Sequence, residues 1–201
     1  MELLIPENFY HIYNHSNGTE LLFRENKNYI FFLKKYEMYI NSMVETYAYC
    51  LMPNHFHLLV SIKDDKEISD LILKNKFSTK YKAKTDSKER EKLMSLFISK
   101  QFAKLFSSYT QAYNKVYSRM GSLFMKNFKR KHITRESYFI YLINYIHLNP
   151  VNHGFVNKPC EWGFSSYNDI LSDKPSILKQ DFVLESFGGI SNFIECHSKP
   201  I

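Results

Sequence analysis

Apolar and polar positions alternate over three short runs of the chain and recur at helical spacing over the longer stretches between and after them. Residues 9–14, Phe-Tyr-His-Ile-Tyr-Asn, are β-branched or aromatic and run into Ser16-Asn17-Gly18, a turn signal, which predicts a strand ending in a loop. Val44 to Leu51 and His55 to Ile62 flank Met52-Pro53-Asn54 and predict two strands joined as a hairpin. From Glu25 to Ser42 the apolar residues Tyr29, Ile30, Leu33, Tyr36, Met38 and Ile40 fall near helical spacing. Asp64-Asp65-Lys66-Glu67 breaks the strand pattern, and a helix is expected over about Ser69 to Phe77, followed by a linker in the lysine-rich stretch Ser78 to Lys88. A long helix follows from about Glu89 to Met120. Its Leu93, Phe97, Phe102, Leu105, Phe106, Tyr109, Tyr113 and Val116 lie near one face, and Gly121 is placed to end it. Ser122 to Ile133 holds one or two short strands. Arg135 to Leu148 is an apolar helix that Asn149-Pro150 should stop, because the residue before proline is pushed out of the helical region.

The resulting order, β-α-β-β-α-(α)-β-α, predicts an α+β chain. Its expected architecture is a ferredoxin-like antiparallel sheet with helices packed on one face, plus a helical basic insertion over about residues 74–120. Residues 1–170 read as one domain and 171–201 as a C-terminal extension.

Composition narrows the class. With 201 residues and 44% hydrophobic content, the chain can bury a full core. Its three cysteines, Cys50, Cys160 and Cys196, are too few and too widely spaced for a disulfide framework or a zinc pair, so reduced thiols are expected. Nothing approaches the ~20 apolar residues needed to span a bilayer. The start, Met-Glu-Leu-Leu-Ile-Pro-Glu, carries no basic region or cleavage site, which predicts a cytoplasmic protein with no membrane partner.

The net charge of +7 is unevenly placed. Lys74 to His132 holds 16 Lys and Arg against three acids, a local +13, whereas the remainder carries −6. Phe97, Phe102, Phe106, Tyr109, Tyr113 and Tyr117 are interleaved with those cations. Cations bind phosphate whatever the sequence, and exposed rings stack on unpaired bases, so a nucleic-acid partner is favoured over a merely solvated lysine face.

His55-Phe56-His57 is the sharpest chemical feature. On a strand the two imidazoles share one face while Phe56, Leu58, Val60 and Ile62 share the other, an arrangement able to grip one metal ion. In the later helix Tyr141, Tyr145 and Asn149 are spaced i, i+4, i+8 and also share a face, which sets a phenol beside an amide. Tyr109, Tyr113 and Tyr117 have the same spacing on the basic helix and read as core packing or DNA contact. No Gly-rich phosphate loop, Cys-x-x-Cys or Gly-x-Ser-x-Gly occurs, which leaves nucleotide hydrolysis, zinc-finger and serine-hydrolase readings without support.

Four motifs in order carry a resemblance. They are Leu51-Met-Pro-Asn-His55-Phe-His57-Leu-Leu-Val60, Phe128-Lys-Arg-Lys-His132-Ile-Thr, Tyr145-Ile-His-Leu-Asn149-Pro150-Val-Asn-His-Gly154 and Trp162-Gly-Phe-Ser165-Ser166-Tyr167. Together they resemble the single-tyrosine HUH transposases, most of all the REP-associated tyrosine transposase branch, from about Tyr10 to Tyr167. The resemblance implies a divalent metal, Mg²⁺ or Mn²⁺, on His55 and His57, with Asn149 where the family places a polar third ligand. It implies Tyr145 as the nucleophile that forms a 5′-phosphotyrosine on single-stranded, hairpin-forming DNA, with the metal, a basic residue or His147 helping it to ionise. Lys104, Lys115, Arg119, Lys126, Lys129, Arg130, Lys131 and His132 are the candidate DNA contacts; for His132 a phosphate contact and a structural hydrogen bond are both open. Relatives act as monomers or homodimers, and the motifs do not choose between them. The alternatives are a domesticated nucleic-acid-binding protein that keeps the fold without cutting, and a metal-dependent hydrolase that uses water.

Overall fold

The computed structural model describes residues 2–84 and 86–198. Met1, Thr85 of the lysine-rich stretch and residues 199–201 of the expected C-terminal extension lie outside the described residues. Four strands, β1 (Phe9–His15), β2 (Val44–Met52), β3 (His55–Ile62) and β4 (Lys129–Ile133), form one antiparallel sheet in the order β2-β3-β1-β4. Helix α1 (Asn26–Tyr39) connects β1 to β2, and α2 (Asp65–Leu73), α3 (Ser78–Lys82) and α4 (Ser87–Val116) lie between β3 and β4. This is the ferredoxin-like arrangement that the element order predicts.

Alternation along the strands divides the sheet into two unlike faces. Tyr10 and Ile12 on β1, with Phe56, Leu58, Val60 and Ile62 on β3, are almost fully buried on the first face. Helices α1 and α4 cover it. Phe32 packs on Phe56 with centroids 5.3 Å apart, Phe106 reaches the same ring at 5.6 Å, and the Tyr36 hydroxyl pairs with Thr46 Oγ1 at 2.7 Å. The second face carries His11, Tyr13 and His15 of β1 opposite Leu59, His57 and His55 of β3. Helix α5 (Glu136–Asn152) crosses this face, anchored where Phe139 meets Phe9 and Tyr47 at 5.2 and 5.4 Å.

Local chemistry explains where the helices begin and end. Asp64 accepts a hydrogen bond from Glu67 N at 2.8 Å, so α2 starts at Asp65, earlier than expected, with two acids in its positive first turn. Asp86 caps α4 in the same way through Glu89 N. That helix ends at Val116 rather than near Gly121. Ser118 takes a left-handed φ of 49°, and Gly121, at φ 86°, serves the turn beyond it. The expected stop of α5 before Pro150 is also overturned, because the helix continues to Asn152 with Pro150 inside it. Proline costs a helix one N–H bond, and here the last turn is still closed by His153 N donating to Asn149 O at 3.1 Å and Gly154 N donating to Val151 O at 2.9 Å. Part of the stretch expected as a linker is α3, with Tyr81 buried.

The segment after α5 closes the open edge of β2. Leu51 N donates to Phe164 O, Ser166 N to Tyr49 O and Lys179 N to Thr46 O, each at 2.9 Å, so an edge that invites pairing with another chain is occupied. Helices α6 (Tyr167–Ile170), α7 (Gln180–Ser186) and α8 (Ile190–His197) follow, and α8 packs on α5. Among the described residues no helix is long and apolar enough to cross a membrane.

Candidate active site

Between α5 and the second face of the sheet lies an open cavity of about 490 Å³. Its floor is imidazole: His11 and His15 from β1, and His55 and His57 from β3. His153, just past α5, closes one end with its ring 5.5 Å from that of His55. Tyr138, Tyr141 and Tyr145 of α5 line the wall, and Lys131 of β4 stands at the rim. Among the described residues no carboxylate lines it.

Tyr145 meets His57 edge to face at 5.5 Å and His11 at 6.4 Å. Burial holds its phenol above the ordinary tyrosine value; the neighbouring Tyr141 hydroxyl pushes the same way, and a hydrogen bond from Asn149 pulls it down. Asn149, 2% exposed, also sets its Oδ1 3.0 Å from His55 Nε2. One amide thus touches both a histidine of the pair and the tyrosine, because i and i+4 fall on one helix face.

The histidines are held neutral. Burial lowers His55 and His11 to about 4 and His57 to about 2, with Asn149 partly offsetting the fall at His55 and the neighbouring imidazoles adding to it at His57. Neutral imidazole is the form that donates a lone pair to a metal. Among the described residues no three His, Cys, Asp or Glu side chains converge as a ready-made metal cluster. A cation held by His55 and His57 would need an oxygen from another residue type, and the Asn149 amide oxygen stands 3.0 Å from His55 Nε2. Two imidazoles and one amide fit a divalent cation with coordination positions left open.

The expected DNA contacts separate by face. On β4, Lys129 and Lys131 pair with Tyr13 and His11 and so share the cavity face. Lys131 Nζ donates to Tyr138 Oη at 3.0 Å and lies 4.3 Å from that ring centroid. Arg130 and His132 point to the other face, where Arg130 donates to Ser99 Oγ and lies over Phe128, and His132 stacks on Tyr10 at 5.3 Å. Arg119 is committed internally: its guanidinium binds Glu20 at 2.7 Å, Asn114 Oδ1, and the carbonyls of Gly121 and Ser122. Lys104, Lys115 and Lys126 are exposed and away from the cavity lining.

Five other residues that the sequence singles out are structural. Tyr109 and Tyr113 donate to the carbonyls of Leu22 and Leu21, and Tyr117 to the Glu25 carboxylate, so this row docks α4 on the loop before α1. Trp162 Nε1 donates to Leu51 O at 3.1 Å. His147 cannot assist Tyr145, since residues two apart face opposite sides of a helix. It is fully buried, 2.9 Å from His197 Nε2 and 2.7 Å from Ser166 Oγ.

His11, His15 and His153 escaped the sequence reading. The signal was present on β1, where His11, Tyr13 and His15 alternate just as His55 and His57 do, but only the register of β1 on β3 joins the two rows.

Comparison with known proteins follows the same line. Residues 26–117 match the family model described as transposase IS200 like. The chain is similar to the IS200-like transposases. That match includes His55 and His57 and stops before α5, so it does not reach Tyr145. A solved REP-associated tyrosine transposase bound to a REP hairpin has the same fold, with a TM-score of 0.56 and 16% identity over 87% of each chain. No curated protein matches the chain. The IS200-like match spans less than half of the chain, and the structural match shows the fold alone.

Proposed function

We propose that this chain is a metal-dependent single-strand DNA endonuclease and strand transferase that works through a phosphotyrosine. The observation that carries the reading is that Tyr145, His55 and His57 line one cavity open to solvent, with the buried Asn149 amide oxygen 3.0 Å from His55 Nε2 behind them. In this reading Tyr145 Oη attacks a backbone phosphorus in line. The Oη–P bond forms, the bond from phosphorus to the 3′ oxygen breaks, and the leaving oxygen ends protonated as a 3′-OH. The protein is left joined to the 5′ phosphate. A second DNA 3′-OH reverses the step and joins strands without ATP.

The chain's own residues divide the work. Asn149 directs an N–H at the tyrosine oxygen and favours the phenolate that burial disfavours. Lys131 supplies positive charge at the rim for the flanking phosphates. Tyr138 and Tyr141 lie nearly parallel at 5.8 Å, and Tyr141 and Tyr145 at 6.4 Å, which offers ring faces to unpaired bases leading to the scissile phosphate. A divalent ion, Mg²⁺ or Mn²⁺, held by His55, His57 and Asn149 would supply Lewis-acid stabilisation of the charge developing on the phosphate. A hairpin-bearing substrate is proposed from the likeness to the REP-associated enzyme.

The test is a nicking assay on a labelled pool of single-stranded, hairpin-bearing DNA with Mn²⁺. Wild-type protein nicks. Tyr145→Phe and His57→Ala do not, although both still retard the DNA on a native gel. Retardation without nicking by the wild-type chain would overturn the proposal in favour of a non-cleaving DNA-binding protein.

A further inference from the structure

The hydrogen bonds behind the two histidines decide which ring nitrogen each can offer. His55 Nδ1 lies 2.7 Å from Asn54 Oδ1. Its Nε2 lies 3.0 Å from a second amide oxygen, Asn149 Oδ1, so a cation held by that nitrogen and that oxygen together requires the His55 hydrogen on Nδ1, where Asn54 Oδ1 accepts it. His57 has no such oxygen. Its Nδ1 meets another ring nitrogen, His11 Nε2, at 2.9 Å, with the two rings near parallel and 5.0 Å apart.

One hydrogen is shared between those two nitrogens, and its placement has opposite consequences for the cavity. With His11 as acceptor, His57 is protonated at Nδ1 and keeps a lone pair on Nε2. With His11 as donor, His57 carries its hydrogen on Nε2 and has no lone pair left for a cation. We propose that His11 is the positioning residue of the metal site: its Nε2 accepts from His57 Nδ1–H and presents His57 Nε2 as a ligand, as Asn54 does for His55. This rests on the reading of His55 and His57 as metal ligands.

The choice of a neutral ring has a physical advantage over the carboxylate that often stands behind a ligating histidine. A carboxylate there would place a negative charge beside the incoming phosphate in a cavity that no Asp or Glu of the described residues lines. His11 fixes the tautomer without that repulsion. It is itself held, 7% exposed and stacked on Tyr13 at 4.7 Å, so its ring cannot swing away cheaply.

The experiment is calorimetric titration of the full chain with Mn²⁺, comparing wild type, H11L and H11Q, with circular dichroism and melting recorded for each. Loss of the acceptor in H11L is expected to weaken Mn²⁺ binding by about 10–100-fold, the usual effect of removing such a partner. H11Q, which restores an acceptor oxygen, recovers most of that affinity, which a merely space-filling role for His11 would not produce. Equal Mn²⁺ affinity in wild type and H11L overturns the proposal while leaving the metal reading intact. No Mn²⁺ binding by the wild-type chain overturns the metal reading and this proposal with it. Should H11L fail to fold, ¹⁵N-histidine spectra of the wild-type chain, without metal and with Zn²⁺, decide the matter. His57 protonated at Nδ1 and ligating through Nε2 supports the proposal; a hydrogen on Nε2 without metal, or ligation through Nδ1, overturns it.

Discussion

Asn149 joins the proposed reacting groups: its amide oxygen faces His55 Nε2, and its side chain draws the Tyr145 phenol down from the raised pKa that burial imposes. Asn149→Leu keeps the volume and loses both contacts. It is expected to reduce nicking by at least ~100-fold in a single-turnover assay, since a misplaced reacting group costs on that order, and to weaken Mn²⁺ binding at the same time. Loss of nicking with unchanged Mn²⁺ affinity would confine Asn149 to the tyrosine. The donor set also sets metal preference. Imidazole nitrogen binds first-row transition ions better than it binds Mg²⁺, which prefers oxygen, so a cavity lined among the described residues by neither Asp nor Glu should work at lower Mn²⁺ than Mg²⁺ concentration, a comparison that a metal titration of nicking makes directly. Equal half-saturating concentrations would contradict it.

The helix α5 has two faces with separate tasks. Tyr138, Tyr141 and Tyr145 look into the cavity, and His147 looks back toward α8. Tyr141 is 45% exposed, so Tyr141→Ala should leave the melting temperature nearly unchanged yet weaken single-stranded DNA binding by about 1–3 kcal/mol, the worth of one stacked base. Unchanged affinity, read by fluorescence anisotropy, would remove the stacking role. Much of this was legible in the sequence: the i, i+4, i+8 spacing of Tyr141, Tyr145 and Asn149 set them on one face, and the His55-x-His57 alternation set two rings on another. The continuation of α5 through Pro150 was not, because local preference before a proline says nothing of bonds that close the turn beyond it. Nor was the role of Arg119, whose partners Glu20 and Ser122 meet it only after α4 has docked. His11 was hidden for the same reason, since strand register is a long-range property.

At the scale of the molecule, the sheet has a dry face that holds it together and a wet face that carries the proposed chemistry, and the C-terminal helices brace the latter from behind. His147 and His197 are the bolt of that brace, both buried, with His197 Nδ1 set 2.7 Å from Phe193 O. Burial lowers His147 well below its usual range and His197 to about 4. An unfolded histidine titrates near 6.5, so between pH 6.5 and 4 the unfolded chain binds protons that the folded chain refuses. The stabilising contribution of the pair is whole above pH 6.5 and falls on acidification, by up to about 2 kcal/mol per histidine at pH 5. Urea midpoints at pH 7 and 5 should show the loss on top of that from the buried His11, His55 and His57, and His197→Phe should lessen it without abolishing it; an equally steep fall in the variant would place its source wholly elsewhere. The central claim is that Tyr145 is the nucleophile that becomes joined to the 5′ phosphate, and the most direct measurement is peptide mass mapping of protein recovered from a denaturing gel after incubation with Mn²⁺ and labelled single-stranded hairpin DNA. The account predicts a nucleotide adduct on the peptide that contains Tyr145, absent from Tyr145→Phe. An adduct on another tyrosine, or nicking that persists in Tyr145→Phe, would contradict it.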